Sequence, residues 1–337
     1  MGTDTRFLDP KGAETGGNKR RFLGIHLAGA KSDRTCMVVF DVFDDDENSK
    51  HFLVDVVDRI SANELGEAAD ENLISSISDL NGPVTAIGMD APLTLPPCLT
   101  CTLPCPGTTK CEVPEVKWLR QEQRTRIELS RKGKRVKPIA PYVERPVDVY
   151  LRSLVGGIVK RLEEEAERCD EEKKKEILSE DEGKSAESAF EETLPFVNVT
   201  EAIGATTAMR AARATFLKKH LIDEIGNPIS LYEVNPTLSI AALKDGFSLY
   251  RRDLRLYRSL SQGAQIRLEI LDRLNEQGKV FLYQRDVETL VGSLPAFDAF
   301  ICAYTAFLAD SGETESEPEM FPRESGWVEI PRPVSNP

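Results

Sequence analysis

The sequence predicts an α/β protein with a mixed sheet flanked by helices. Apolar runs of strand length alternate with stretches of helical spacing. Their order changes from three strands in succession to alternating helices and strands. With 40% hydrophobic and 29% charged residues, the chain has enough apolar surface for a sizeable core.

Residues 1–20 are polar and predict a flexible tail ahead of one domain over 21–332. Residues 22–30 (FLGIHLAGA), 35–42 (TCMVVFDV) and 51–57 (HFLVDVV) read as strands. The polar turn at 44–48 makes a hairpin of the last two, so the chain opens as a three-stranded meander. Residues 63–80 carry Leu65, Ala68, Ala69, Leu73, Ile77 and Leu80 at near-helical spacing, and Asn81-Gly82-Pro83 stops them. Residues 84–89 (VTAIGM) predict a fourth strand, reached by a parallel crossover.

Helical character returns over 146–167 and 200–225, and 229–234 (ISLYEV) predicts a fifth strand. Residues 237–278 read as helical with breaks at Gly246 and Gly263, and 295–309 as a last apolar helix. Residues 96–145 form a cysteine-rich and basic insertion, and 160–192 a charged linker or helix. No run approaches the roughly 20 apolar residues of a membrane helix, and no secretory leader is apparent; the expectation is a cytoplasmic chain with no membrane association.

The net charge of −13 argues against a protein coated in nucleic acid. The balance is uneven, however. Residues 117–145 hold ten basic and three acidic residues, whereas 161–192 hold six basic and fourteen acidic. Lys132, Lys134, Arg135, Lys137 and Arg145 are therefore candidates for holding phosphates, against the plain alternative of a solvated loop. Arg251, Arg252, Arg255 and Arg258 could extend that surface.

Four of the seven cysteines, Cys98, Cys101, Cys105 and Cys111, follow the spacing C-x2-C-x3-C-x5-C. In a cytosolic chain such crowding points to a metal centre rather than to disulfides. A tetrahedral Zn2+ fits the ligand count, and a 4Fe-4S cluster fits the compact run and the Cys105-Pro106 pair. Reduced thiols in a loop are the bland alternative. Cys36, Cys169 and Cys302 read as two core fillers and one surface thiol.

Three acidic residues fall on or beside apolar elements. Asp90 ends the fourth strand, Glu233 lies inside the fifth, and Asp298 sits in the first turn of the last helix. A helix N-terminus favours a carboxylate such as Asp298 on dipole grounds alone. A charge inside an apolar strand costs several kcal/mol unless it is paired or binds a cation.

The segments Gly24-Ile25-His26-Leu27-Ala28-Gly29, Met89-Asp90-Ala91-Pro92-Leu93, Tyr232-Glu233-Val234-Asn235-Pro236 and Phe297-Asp298-Ala299, with the closing Gly326-Trp327-Val328-Glu329-Ile330-Pro331, resemble the family called domain of unknown function 429. Its members are described as predicted nucleases with a ribonuclease H-like fold. The likeness covers roughly residues 21–158 and 195–332. It implies a five-stranded mixed sheet flanked by helices, with carboxylates coordinating Mg2+ or Mn2+ to hydrolyse phosphodiester bonds, and a nucleic-acid substrate.

Matched residue by residue, Asp90, Glu233 and Asp298 take the acidic positions, as catalytic residues and metal ligands. His26 stands where the family usually has aspartate. It is a candidate fourth ligand or general base, or a packed histidine at a strand end. An imidazole suits softer ions than Mg2+, so the options are a Mn2+ or Zn2+ site, a single-ion site, or lost catalysis. The leading expectation is a metal-dependent nuclease or phosphodiesterase. The alternative is an inactive scaffold that binds nucleic acid or protein through its cysteine centre. A phosphotransferase ranks last, because no Gly-rich phosphate loop is present.

Overall fold

A computed structural model of the chain describes residues 18–29, 34–44, 49–62, 68–130, 136–154, 202–204, 207–225, 229–243 and 256–332. The architecture is α/β: a mixed six-stranded sheet of order β3-β2-β1-β4-β5-β6 with helices on both faces. Strands β1 (Asn18–His26), β2 (Thr35–Asp44) and β3 (Lys50–Ile60) form the antiparallel meander. The chain then crosses through α1 (Ala69–Ser78) to β4 (Ala86–Met89), which lies parallel to β1. β5 (Ser230–Val234) pairs parallel with β4. Among the described strands only β2 runs against the others.

The five expected strands are present, but the sheet has a sixth. β6 (Val328–Glu329) pairs parallel with β5. Two residues are too short for any alternation to register, which is why periodicity gives a five-stranded sheet. Part of the basic stretch is also helical: α3 (Pro114–Leu129) follows the short α2 (Pro97–Thr100). A further helix, α4, starts at 146 and is described to 154. It is followed along the chain by α5 (Ala208–Ile225), α6 (Pro236–Leu243), α7 (Gly263–Glu276), α8 (Gln284–Gly292) and α9 (Leu294–Asp310).

Gly263 opens α7 rather than breaking a helix. A Cβ there would lie 2.5 Å from the Tyr257 carbonyl oxygen, so the chain needs its bareness for close packing. The tail expected over 1–20 is too long by three residues, because β1 already begins at Asn18, and Asp44 of the expected turn at 44–48 still belongs to β2. Residues 1–17, 45–48, Gly246 and the charged stretch at 160–192 lie outside the described residues. Among the described residues no single helix is long and apolar enough to cross a membrane.

Because β1 is central, its two faces are both buried, which explains its near-continuous apolar run. Leu23, Ile25, Ile87 and Met89 face α1 and α5, with Leu73, Ile77, Ala214 and Leu217 packed on them. Phe22, Val38, Phe40 and Ala86 face α7, α8 and α9. Helix α9 is buried on every side from Ala296 to Leu308. The face of β3 is completed by a bridge from Phe52 to Phe281, with Leu53 N–H donating to the Phe281 carbonyl at 3.1 Å and Phe281 N–H to the His51 carbonyl at 2.8 Å. Two register shifts interrupt the β2–β3 ladder.

Helix α9 lies unusually close to the sheet. Gly24 and Gly88 are register partners on β1 and β4. A Cβ at Gly24 would sit 1.9 Å from the Ala299 carbonyl oxygen, and one at Gly88 would sit 2.2 Å from that of Cys302. Both contacts are with helix backbone, which cannot step aside alone. Gly88→Ala should therefore destabilise the fold by about 3 kcal/mol, the upper end for overpacking. Gly292→Ala, with open space around its Cβ position, should change stability by less than about 1 kcal/mol. Urea unfolding of the two variants checks the contrast.

Candidate metal and anion site

The C-terminal ends of β1 and β4, with α9 lying across them, bring three of the sequence candidates together. His26 is the last residue of β1, and Asp90 follows β4 directly. Both alternate onto the face that carries Gly24 and Gly88, which is the face α9 covers. Asp298 meets them from the helix. One ligand atom from each of His26, Asp90 and Asp298 lies within 4.8 Å of the others.

Asp90 is fixed by the sheet. Its Oδ1 accepts the Leu27 N–H at 2.8 Å, and its own N–H donates to the Ile25 carbonyl at 3.1 Å. Arg210 of α5 donates to its carbonyl at 3.0 Å and to its Oδ2 at 3.3 Å. His26 Nδ1 is 2.6 Å from Asp90 Oδ2 and 3.9 Å from Asp298 Oδ2. The 2.6 Å contact is off the line of a ring N–H, and Nδ1 has no aligned hydrogen-bond partner.

Asp298 is 1% exposed. Its Oδ2 accepts from Arg258 Nη1 at 2.9 Å, and its Oδ1 is buried with no partner. Arg258 also donates to the Tyr257 hydroxyl at 3.0 Å, and that hydroxyl meets Thr237 Oγ1 at 2.9 Å. The helix begins at Leu294, so Asp298 lies beyond its first turn, contrary to the sequence expectation. A terminal dipole therefore does not explain this carboxylate. Burial pushes its pKa up, against the pull of Arg258 and His26. Burial also opposes charge on His26, but Asp90 and then Asp298 outweigh it and raise its pKa.

Glu233 lines the same cavity, of about 270 Å³, as Asp90, Asp298, Arg210 and Arg258. It does not join the three-residue cluster. In the ladder Gly88 is level with Tyr232 and Met89 with Glu233, so Glu233 alternates onto the opposite face from His26 and Asp90. Both of its oxygens accept from Arg145, at 2.7 and 2.8 Å, and Oε2 also takes the Leu93 N–H at 2.8 Å. Arg145 meanwhile holds Asp148 at 2.7 and 3.1 Å and reaches Thr94 Oγ1 at 3.2 Å. Only 2% exposed, Arg145 is the centre of an internal ion network. Asp90 and Glu233 belong to one cavity wall, but different cations neutralise them.

Of the other basic candidates, Lys132, Lys134 and Arg135 lie outside the described residues, as do Arg251, Arg252 and Arg255. Lys137 is described and exposed. Cys98 is half-buried, Cys101 and Cys105 are exposed, Cys111 is buried, and none forms a disulfide. Cys36 and Cys302 are buried, as core fillers should be.

Sequence reasoning passed over Arg210 and the Arg145–Asp148 pair. The i,i+3 spacing of Arg145 and Asp148 at the start of a helix is a usable signal for the second. Nothing in the Ala-rich surroundings of Arg210 distinguishes it.

The donor set fits one divalent cation. It offers one imidazole nitrogen and two carboxylates, and two of its buried atoms lack a hydrogen-bond partner. Such orphans are rare in a folded interior, and a bound ion or an ordered water is one way to satisfy them. Among the described residues a second ion has no comparable set, because Glu233 is occupied by Arg145.

Removing Arg145 leaves two buried carboxylates unpaired. Arg145→Met should cost about 3–5 kcal/mol in urea unfolding. Arg145→Lys should recover only part of this, since an ammonium cannot reproduce the paired fork.

The family described as "Protein of unknown function (DUF429)" matches this chain over residues 45–323. No curated protein and no solved structure matches it.

Proposed function

The chain belongs to the DUF429 family, and from that premise we propose that it is a metal-dependent phosphodiesterase of ribonuclease H-like type, with nucleic acid as its substrate class. The observation that carries this reading is the His26, Asp90 and Asp298 cluster, whose two buried aspartates line a cavity edged with arginines. A mixed sheet that opens as an antiparallel meander and continues by parallel crossovers is the scaffold the reading requires.

The three side chains would hold one divalent cation, with His26 favouring Mn2+ or Zn2+ over Mg2+. When bound, such an ion polarises a phosphoryl oxygen and lowers the pKa of a water. The remaining work falls to the chain itself. The Leu27 N–H and Arg210 fix the Asp90 carboxylate in one orientation. Among the described residues, only the Nη1 of Arg210 and of Arg258 is engaged by the protein. The Nη2 and Nε groups of both remain to take phosphate oxygens, the geometry for which guanidinium is suited. Arg145 works differently. Bound on two sides, it keeps Glu233 and the Leu93 backbone in place and so shapes the cavity wall.

The binding-module alternative draws on one specific observation. Arg210, Arg258 and Arg145 already neutralise Asp90, Asp298 and Glu233 without a metal. In that reading the arginines are structural and the chain is catalytically silent.

Cleavage of labelled single- and double-stranded DNA and RNA, and of a chromogenic phosphodiester, separates the two. The proposal expects Mn2+-dependent turnover abolished by chelator, and a drop of at least about 100-fold in Asp90→Asn and Asp298→Asn, as for loss of a group essential to charge stabilisation. Equal rates in wild type and Asp90→Asn would remove Asp90 from catalysis. An inactive wild type that gains activity on His26→Asp would favour the silent scaffold.

A further inference from the structure

Outside the cavity, the most distinctive chemistry lies in the loop that carries Cys98, Cys101, Cys105 and Cys111. Its backbone has little to hold it. Residues 101–113 contain no helix or strand, and 101–110 are all exposed. Within that stretch the only backbone hydrogen bond between described residues runs from Lys110 N–H to the Gly107 carbonyl, at 3.1 Å. Leu99 and Leu103 are exposed, at 53% and 65%, so no apolar cluster supports the loop. Ordering each residue costs roughly 1–2 kcal/mol, and neither burial nor a ladder offsets that here.

The ends, by contrast, are firmly placed. Cys98 N–H donates to the Pro141 carbonyl at 3.2 Å. Cys111 is buried, and Arg120 of α3 donates to its carbonyl at 2.8 Å and to that of Thr108 at 2.9 Å. Two cysteines are thus anchored to the domain, and two ride on the exposed arc between them. All three of the others lie within electrostatic reach of the Cys98 thiol, and none of the four is oxidised to a disulfide.

We propose that these four cysteines bind one Zn2+ as a tetrahedral thiolate site, separate from the His26, Asp90 and Asp298 cluster. The C-x2-C pair at Cys98 and Cys101 spans α2, whose last turn brings Cys101 N–H onto the Pro97 carbonyl at 3.1 Å. That is the spacing and compactness of one half of a zinc site. Among the described residues no three of the sulfurs lie within 4.8 Å of one another. A Zn–S bond of about 2.3 Å therefore requires Cys101 and Cys105 to swing inward. Gly107 sits on that arc at φ +85° with open space around its Cβ position, which leaves the turn free to close. Binding converts up to four thiols to thiolates and releases their protons to solvent.

The site would also brace the cavity. α2 ends the loop that leaves Asp90, and that loop supplies the Leu93 N–H to Glu233 and Thr94 to Arg145.

Metal analysis of the full-length protein, purified anaerobically, tests the proposal. The expected result is one zinc per chain, retained in Asp298→Asn and reduced more than tenfold in the double variant Cys101→Ser/Cys105→Ser. Both substituted positions are exposed, and circular dichroism confirms that the variant is folded. Replacement by Co2+ should give thiolate charge-transfer bands and the visible absorption of a tetrahedral ion. Zinc undiminished in the double variant overturns the proposal. So does a metal-free wild type with four freely titrating loop thiols, or a brown protein containing iron and acid-labile sulfide. None of these outcomes depends on phosphodiesterase activity, so either reading can fail without the other.

Discussion

The approach of one buried helix to two glycines governs the rest of the molecule. Side chains normally hold a helix about 10 Å from a sheet. At Gly24 and Gly88 the backbone of α9 occupies the space where side chains would begin. The helix can then carry Asp298 into contact range of His26 and Asp90, which end the same two strands. A bulkier pair would lift α9 and leave three isolated polar residues where there is now a cluster. The catalytic proposal is in this sense a consequence of packing, since close approach is what turns scattered residues into a common donor set.

Electrostatics then divides that region into two compartments. On one side Arg145 saturates Glu233 and Asp148, and all its donors are spent inside the protein. On the other, Arg210 and Arg258 each hold a carboxylate through Nη1, His26 Nδ1 rests 2.6 Å from Asp90 Oδ2, and Asp298 Oδ1 has no hydrogen-bond partner among the described residues. The first compartment is complete and suits a structural role. Among the described residues the second keeps one unused carboxylate oxygen and guanidinium donors with no partner, which is why the proposed function is placed there. Sheet alternation draws the line between them, because Glu233 belongs to the opposite face from His26 and Asp90.

Much of this fold is readable in the residues, and where reading fails the reason is physical. Strands β1 to β5 are apolar runs bounded by polar turns, and burial on both faces makes such runs long enough to recognise. β6 is two residues long and carries no pattern. α3 is rich in Arg, Lys, Gln and Glu, good helix formers that read as mere charge when judged by hydrophobicity. Asp90 and Asp298 stand out as charges among apolar neighbours. Glu233 stands out for the same reason, yet its partner Arg145 lies 88 residues away, and no local spacing announces so distant a pairing. Arg210 is harder still, because its role arises only when α5 docks beside the end of β4.

The ends of the sheet carry a last implication. One margin, β3, is broken by two register shifts and partly covered by the strand-like contact of Phe281. The other, β6, offers two residues only. β6 is too short to template addition of a strand from another chain, whereas on β3, which is 11 residues long, the Phe281 contact covers 51–53. The register shifts and the Phe281 bridge thus twist and shorten the open part of the longer edge, while brevity alone blunts the other.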